Sequence, residues 1–157
     1  MNPFITPVDQ TRIPINTLNE SVSNQLNDNP KFANDYESFN ILRLSVPHLE
    51  RTTFILLYDI IMLRAQRQYT HIYLKSQNAP LLASKHLKYF SDQINVEVFF
   101  KTHRSYIVNL LEVIEHKRGL HPRLLLTNNL SAPLSRSKKV IFIDRMKGVL
   151  KLKQWRR

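Results

Sequence analysis

The 157-residue chain has no cysteine and only two glycines. Without cysteine there can be no disulfide framework, thiolate metal site or cysteine nucleophile, and two glycines leave no glycine-rich phosphate loop. The longest apolar run, Phe54–Tyr58, is strand-sized, far short of the roughly 18 residues that suggest a membrane span. The first ten residues lack a signal-peptide pattern. We therefore expect a cytoplasmic chain with no membrane span.

The whole chain carries a net charge of +11, and acidic residues are scarce after residue 50. Residues 1–50 hold three basic and six acidic residues, so they contribute −3 and the rest of the chain contributes +14. Such a basic domain indicates a polyanionic partner, with nucleic acid as the first hypothesis and an anionic membrane surface as the second. The third interpretation is a basic surface that serves solubility alone.

The N-terminal part, residues 1–45, is predicted to be an arm followed by short helices. Thr17–Glu20 has the spacing of a capping box, and apolar residues then recur every fourth position, which predicts a helix over residues 17–27. Aromatic residues spaced along 32–39 predict a second short helix. This segment is predicted to dimerise, to dock a protein partner, or to lie on the basic surface and compete for it.

From residue 41 the hydrophobic period changes to the alternation that is typical of half-buried strands. Asn128 and Asn129 suit a tight hairpin turn because asparagine tolerates positive φ. Helices are predicted after Ser84 and over 137–147, with Gly148 ending the second and a basic tail over 149–157. The predicted strands cover residues 41–46, 51–57, 60–64, 70–75, 96–100, 111–116, 123–127 and 130–134.

Three clusters combine cations with hydrogen-bonding side chains, as contacts to phosphates and base edges require. For each the plainer alternative is a solvated turn, or for the third an ordinary basic first turn of a helix. That alternative is weaker for the third cluster, because cations oppose the helix dipole there. The candidate residues are Gln66, Arg67, Gln68 and Tyr69; His103, Arg104 and Ser105; and Ser135, Arg136, Ser137, Lys138 and Lys139.

Catalytic and metal-binding patterns are missing from the sequence. The six histidines include no pair at i, i+4 and no neighbouring carboxylate pattern of a metalloprotease. His103 and Ser105 could mimic a nucleophile pair, but spacing places no third group beside them. We therefore predict no enzyme activity, no catalytic residue, no metal and no cofactor.

The stretch Phe99–Asn109 (FFKTHRSYIVN) resembles the signature of the LytTR DNA-binding domain of bacterial transcription regulators. Other blocks agree with that family in order and spacing, and the resemblance covers residues 46–147. These blocks are Asp59–Ala65 with Gln68–Leu74, Leu82–Phe90, and Ala132–Lys139.

The resemblance implies a mostly β fold of small sheets in an elongated arrangement, with short helices, preceded here by a short helical N-terminal segment. It implies that loops enter successive major grooves of double-stranded DNA at direct-repeat sites. Arg136 matches the family's base-reading arginine, and Arg104 occupies the central loop position. Arg64 departs from the family, which commonly has an acid there, and Gln68 stands where asparagine is frequent.

The combined prediction is a stand-alone, nucleoid-associated regulator with the DNA-binding domain at 46–148. The 45 or so preceding residues are too few for the family's usual receiver domain. Homodimerisation on DNA is expected, because one small module buries too little surface to be selective. The alternative is a basic adaptor that docks an acidic protein or a membrane. RNA is disfavoured because Tyr69 is the only aromatic residue in the three clusters.

Overall fold

The structure, a computed structural model, describes residues 42–94 and 96–154, with side chains as far as residue 150. The helices predicted over 17–27 and 32–39 lie outside these residues. The described strands are β1 (Arg43–Pro47), β2 (Thr52–Leu56), β3 (Ile60–Gln66), β4 (Tyr69–Leu74), β5 (Leu81–Ala83), β6 (Phe99–His103), β7 (Tyr106–Asn109), β8 (Val113–Lys117), β9 (Arg123–Leu126) and β10 (Ser131–Pro133), and the α-helices are α1 (Leu87–Gln93) and α2 (Lys139–Gln154).

The described strands form three small antiparallel sheets. The largest has the order β5-β4-β3-β7-β6, while β1 pairs with β2 and β8-β9-β10 form a three-stranded sheet. In the large sheet Leu63 of β3 lies opposite Ile72 of β4 and Ile107 of β7. Strands thus predominate and the helices are few, which confirms the predicted fold class. Among the described residues, no helix has the length and apolar character needed to cross a membrane.

Two hydrophobic cores stabilise these sheets, and β3 contributes side chains to both. The first core joins the β1–β2 hairpin and α1 to the large sheet through residues such as Val46, Leu63 and Phe90. The second core joins the three-stranded sheet and α2 through residues such as Leu124 and Phe142. Because alternate residues of a strand face opposite sides, each face of the large sheet is covered for part of its length.

The turn between β9 and β10 confirms the asparagine prediction. Asn128 and Asn129 both adopt positive φ, at 56° and 55°, and the backbone N–H of Leu130 donates to the carbonyl of Thr127 at 3.3 Å. Two successive positive-φ residues match the right-handed twist of the flanking strands. The asparagines therefore set the pairing of β9 with β10.

Several predicted boundaries are wrong. The helix expected to end at Gly148 continues to Gln154, and the helix expected to begin at Ser84 has His86 at its N-cap position. The strand expected over 96–100 begins only at Phe99 and runs to His103. The last helix continues past Gly148 because Val149 is fully buried, and such packing is not visible in the local pattern.

Candidate nucleic-acid interface

Two of the three predicted clusters lie on neighbouring hairpin turns. Arg67 and Gln68 turn β3 into β4, and Arg104 and Ser105 turn β6 into β7. Since β3 and β7 are paired directly, both turns project from the same end of the large sheet. The backbone N–H of Ala65 donates to the carbonyl of Ser105 at 2.8 Å, which ties one hairpin to the other.

The third cluster lies along the outer edge of β6. The backbone N–H of Ser135 donates to the carbonyl of Thr102 at 2.9 Å, and that of Leu134 donates to Pro122 at 3.0 Å. Leu134 is buried in the second core, so the chain is fixed immediately before the cluster. A 3-10 turn over Arg136–Lys138 then leads into α2. We call residues 66–69, 103–105 and 135–139 the tip surface.

The side chains of the tip surface are mostly exposed, and few are paired. Among the described residues neither Arg67 nor Arg104 forms an ion pair. Gln68 Nε2 donates to the hydroxyl of Tyr69 at 3.1 Å. Most hydrogen-bonding capacity at this end of the sheet is therefore available to a ligand.

His103 is oriented by its own turn. The backbone N–H of Ser105 donates to Nδ1 of His103 at 3.2 Å, so Nδ1 acts as an acceptor. In the neutral ring the proton then resides on Nε2, which makes Nε2 a donor. A donor at this position suits a phosphate oxygen or a base acceptor.

Arg136 and Lys138 each contact a residue outside the hairpin turns. Arg136 Nη2 donates to the carbonyl of Leu120 at 3.0 Å, while Lys138 Nζ lies 5.8 Å from the centre of the Phe100 ring. The third cluster thus divides its cations between two directions. Lys139 and Ser137 are exposed at the start of α2.

A fourth basic segment, missed by the sequence-based prediction, lies beside Arg136. It covers residues 117–123, from the last residue of β8 to the first of β9, and includes Leu120, whose carbonyl accepts from Arg136. The signal was present in the sequence, because four of these seven residues are basic. They are all exposed: Lys117, Arg118, His121 and Arg123.

A single cross-strand row runs behind the tips on one face of the sheet. Arg64 lies opposite His71 and Tyr106, and Tyr106 lies opposite His103. The guanidinium of Arg64 stands 5.8 Å from the centre of the Tyr106 ring. All four side chains are half-buried. Arg64 thus adds a cation to the strands that lead into the hairpin turns.

Two of the basic residues in this region, Arg118 and Lys139, affect the ionisation of His116. Burial lowers the pKa of His116 below its ordinary value, and the charges of Arg118 and Lys139 lower it further. The ring packs edge-on against Phe142 at 5.2 Å between centres. Cations from the β8–β9 connection and from the start of α2 therefore both lie near the His116 ring. Within the described residues no group of histidine, aspartate and glutamate side chains is arranged to hold a metal ion.

Comparison with known proteins gives one family. The model of the LytTr DNA-binding domain matches residues 50–147. Among solved structures, the chain is similar to a LytTr DNA-binding domain from Bacillus cereus, described as that of a methyl-accepting/DNA response regulator. The TM-score is 0.54 at 17% identity, over 67% of this chain and 96% of that chain. No curated protein is similar enough to match.

Proposed function

Because the chain belongs to the LytTr DNA-binding domain family, we propose that it is a transcription regulator that binds double-stranded DNA sequence-specifically through the tip surface. The observation that carries this proposal is that two basic hairpin turns, far apart in sequence, lie at one end of one sheet, and that the third cluster is bonded to the edge of the adjoining strand β6. Residues 51–157 carry a net charge of +14, which attracts the phosphate backbone strongly.

Base edges and phosphates are assigned to different side chains. Arg104 and Arg136 present planar forks for guanine, and Gln68 presents an amide for adenine. The remaining tip-surface residues contact phosphates or sugars and set the register of the protein on the duplex. They are Gln66, Arg67, Tyr69, His103, Ser105, Ser135, Ser137, Lys138 and Lys139. The exposed cations of residues 117–123 extend these phosphate contacts beyond the three predicted clusters.

Two copies of the chain are proposed to occupy adjacent half-sites of a direct repeat at the nucleoid. A single module of this size buries about 600–1,000 Å² on DNA, which supplies limited discrimination among genomic sites. Residues 1–45 are the candidate for a dimerising or partner-docking element, because their charge is opposite in sign to that of the rest of the chain.

The experiment begins with selection of a motif from random duplex DNA by the full chain. Affinities for the selected site and for a scrambled duplex are then measured for wild type, Arg136→Ala and the matched variant Lys139→Ala. Arg136→Ala should lose about 1–3 kcal/mol of discrimination between the two duplexes. Lys139→Ala should weaken both duplexes alike and reduce the log–log salt slope by about 1.

Two results would contradict the proposal. If selection enriches no motif, or if Arg136→Ala leaves the ratio of the two affinities unchanged, the specificity assigned to the tip surface is wrong. Thermal denaturation of Arg136→Ala checks that loss of the contact to Leu120 leaves the fold intact.

A further inference from the structure

A small cavity opens between the end of α1, strands β6 and β7, the 3-10 turn over Arg136–Lys138 and α2. Its volume is ≈ 230 Å³. Its lining divides into apolar residues and polar or cationic ones. The apolar residues are Ile94, Phe99, Phe100 and Ile107, and the others are Ser91, Lys101, Lys138 and Arg145.

The cations of this cavity are only partly compensated. Arg145 forms an ion pair with Glu97 at 3.2 Å and donates to the carbonyls of Glu97 and Phe99, each at 3.3 Å. Lys101 and Lys138 form no ion pair with another described residue. The lining therefore includes two lysines whose charges no ion pair among the described residues compensates.

The apolar part of the lining is continuous with the protein interior. Phe99 and Ile107 are buried. Two cations lie over the Phe100 ring, with Arg145 Cζ at 5.4 Å and Lys138 Nζ at 5.8 Å from the ring centre. A bare phosphate would engage the lysines and leave this apolar surface uncovered. A ligand that satisfies the whole lining needs an apolar body as well as an anionic group.

The volume indicates the size of the group that the cavity can hold. A cavity of roughly 150 Å³ accommodates benzene, whereas drug-sized ligands occupy about 300–1,000 Å³. A cavity of ≈ 230 Å³ thus accommodates one ring with a charged substituent.

We propose that this cavity binds a small organic anion, consisting of one ring or an equivalent short chain that carries a carboxylate or phosphate. The ring lies against Phe100, Ile94 and Ile107, and the anionic group is bound by Lys101 and Lys138. Ser91 offers a hydroxyl at the α1 side of the same cavity.

Lys138 connects this site to the tip surface. It belongs to the 3-10 turn that follows Ser135, and Ser135 is bonded to β6. An anion in the cavity holds the Lys138 ammonium away from DNA, so binding of the anion and of DNA should oppose each other. This coupling, unlike the site itself, rests on the proposed function.

The test is an NMR titration of the full chain, following the methyl groups of Ile94 and Ile107. Phenyl phosphate should produce saturable shifts with a Kd on the order of 1 mM, as expected for so small a ligand. Inorganic phosphate and benzyl alcohol, which each supply one half of the ligand, should bind at least ten times more weakly.

Matched variants separate the site from general charge. Lys101→Ala and Lys138→Ala should each weaken phenyl phosphate about ten-fold, whereas Lys117→Ala, which removes an exposed lysine from β8, should not. Ser91→Phe should fill the cavity and abolish binding with every cation retained. The proposal is overturned if inorganic phosphate binds as tightly as phenyl phosphate, if Lys117→Ala equals Lys138→Ala, or if no shift saturates.

The coupling is measured separately with the selected duplex. Saturating phenyl phosphate should lower the DNA affinity of wild type to that of Lys138→Ala, and should not lower the affinity of Lys138→Ala further. If phenyl phosphate binds but DNA affinity is unchanged, the coupling is overturned. If the chain binds no DNA although the NMR titration succeeds, the failure belongs to the proposed function.

Discussion

The two ends of the large sheet differ in how their polar side chains are paired. The tip end carries the turns Arg67-Gln68 and Arg104-Ser105, whose arginines have no ion-pair partner among the described residues. At the opposite end, where β3 begins and β4 and β7 end, polar side chains bond to one another. We call residues 59, 75–76, 109–112 and 127 the base.

Asn109 closes the base from within. Its Nδ2 donates to the carbonyl of Ile60 at 2.9 Å, and its Oδ1 accepts from the backbone N–H of Leu111 at 3.0 Å. The side chain is completely buried. One amide therefore satisfies two backbone groups where β7 leaves the sheet.

Glu112 joins two sheets at the base. Its carboxylate pairs with Lys75 after β4 at 3.3 Å and accepts from the hydroxyl of Thr127 after β9 at 3.0 Å. Asp59 accepts from both the backbone N–H and the hydroxyl of Ser76. Polar groups at the base thus contribute to folding, whereas those at the tip remain available for binding.

The largest expected effect is at the base, for Asn109→Ala. The free energy of unfolding should fall by about 2–4 kcal/mol, because the buried carbonyl of Ile60 and the partly buried N–H of Leu111 each lose their partner. Denaturant titration measures this. Affinity for the selected duplex should be unchanged at a temperature where the variant is folded, and a specific loss of DNA binding by the folded variant would contradict the separation of base from tip.

The converse effect is expected at the tip, for Arg104→Ala. Affinity for the selected duplex should fall by about 1–3 kcal/mol, as for a lost base contact. The free energy of unfolding should change by less than about 0.5 kcal/mol, because the side chain is exposed. Fluorescence anisotropy measures the affinity for the duplex, and denaturant titration measures the free energy of unfolding. A stability loss as large as that of Asn109→Ala would show that the tip also contributes to folding.

A smaller effect is expected for Arg67→Gly, with opposite signs for stability and for DNA affinity. Arg67 adopts φ 55°, a left-handed conformation that costs a non-glycine residue roughly 1–2 kcal/mol. Glycine should therefore stabilise the fold by up to about 1 kcal/mol while weakening DNA binding. Gln68→Gly is the matched control, since Gln68 has no positive φ. Equal destabilisation of both variants would show that no strain is stored at Arg67.

The smallest expected effect concerns pH and His116. Its folded pKa lies below the ordinary value of 6.5, so the unfolded chain takes up the proton first as pH falls. Stability should therefore be retained above about pH 6.5 and decline below it. His116→Phe should retain packing on Phe142 and show a shallower decline between pH 7.5 and 5.5. Identical pH profiles would exclude His116 as the source.

Local pattern predicted most strands because each carries its own alternation, and it predicted the Asn128-Asn129 turn because asparagine tolerates positive φ. It failed at Gly148, where glycine costs a helix about 1 kcal/mol. Burial of the neighbouring Val149 contributes roughly 1.5–3 kcal/mol and favours continuation of the helix. The partner of a buried side chain is distant in sequence, so local pattern could not reveal this.

The candidate site shows the same division. Charge and donor type were sufficient to select Arg67, Arg104 and Arg136 from the sequence. The register of Arg64 with Tyr106 and the bond from Ser135 to Thr102 bring the clusters together. Both are long-range pairings, which composition and spacing do not specify.

By itself the sequence determined the basic character of the domain, its short alternating strands and the side chains able to contact nucleic acid, because these are properties of residues and their immediate neighbours. Tertiary structure alone decided which end of the sheet is paired and which is open, where Arg136 and Lys138 point, and where the cavity beside Phe100 lies. Those features depend on contacts between residues far apart in the chain, and only folding brings such residues within reach of each other.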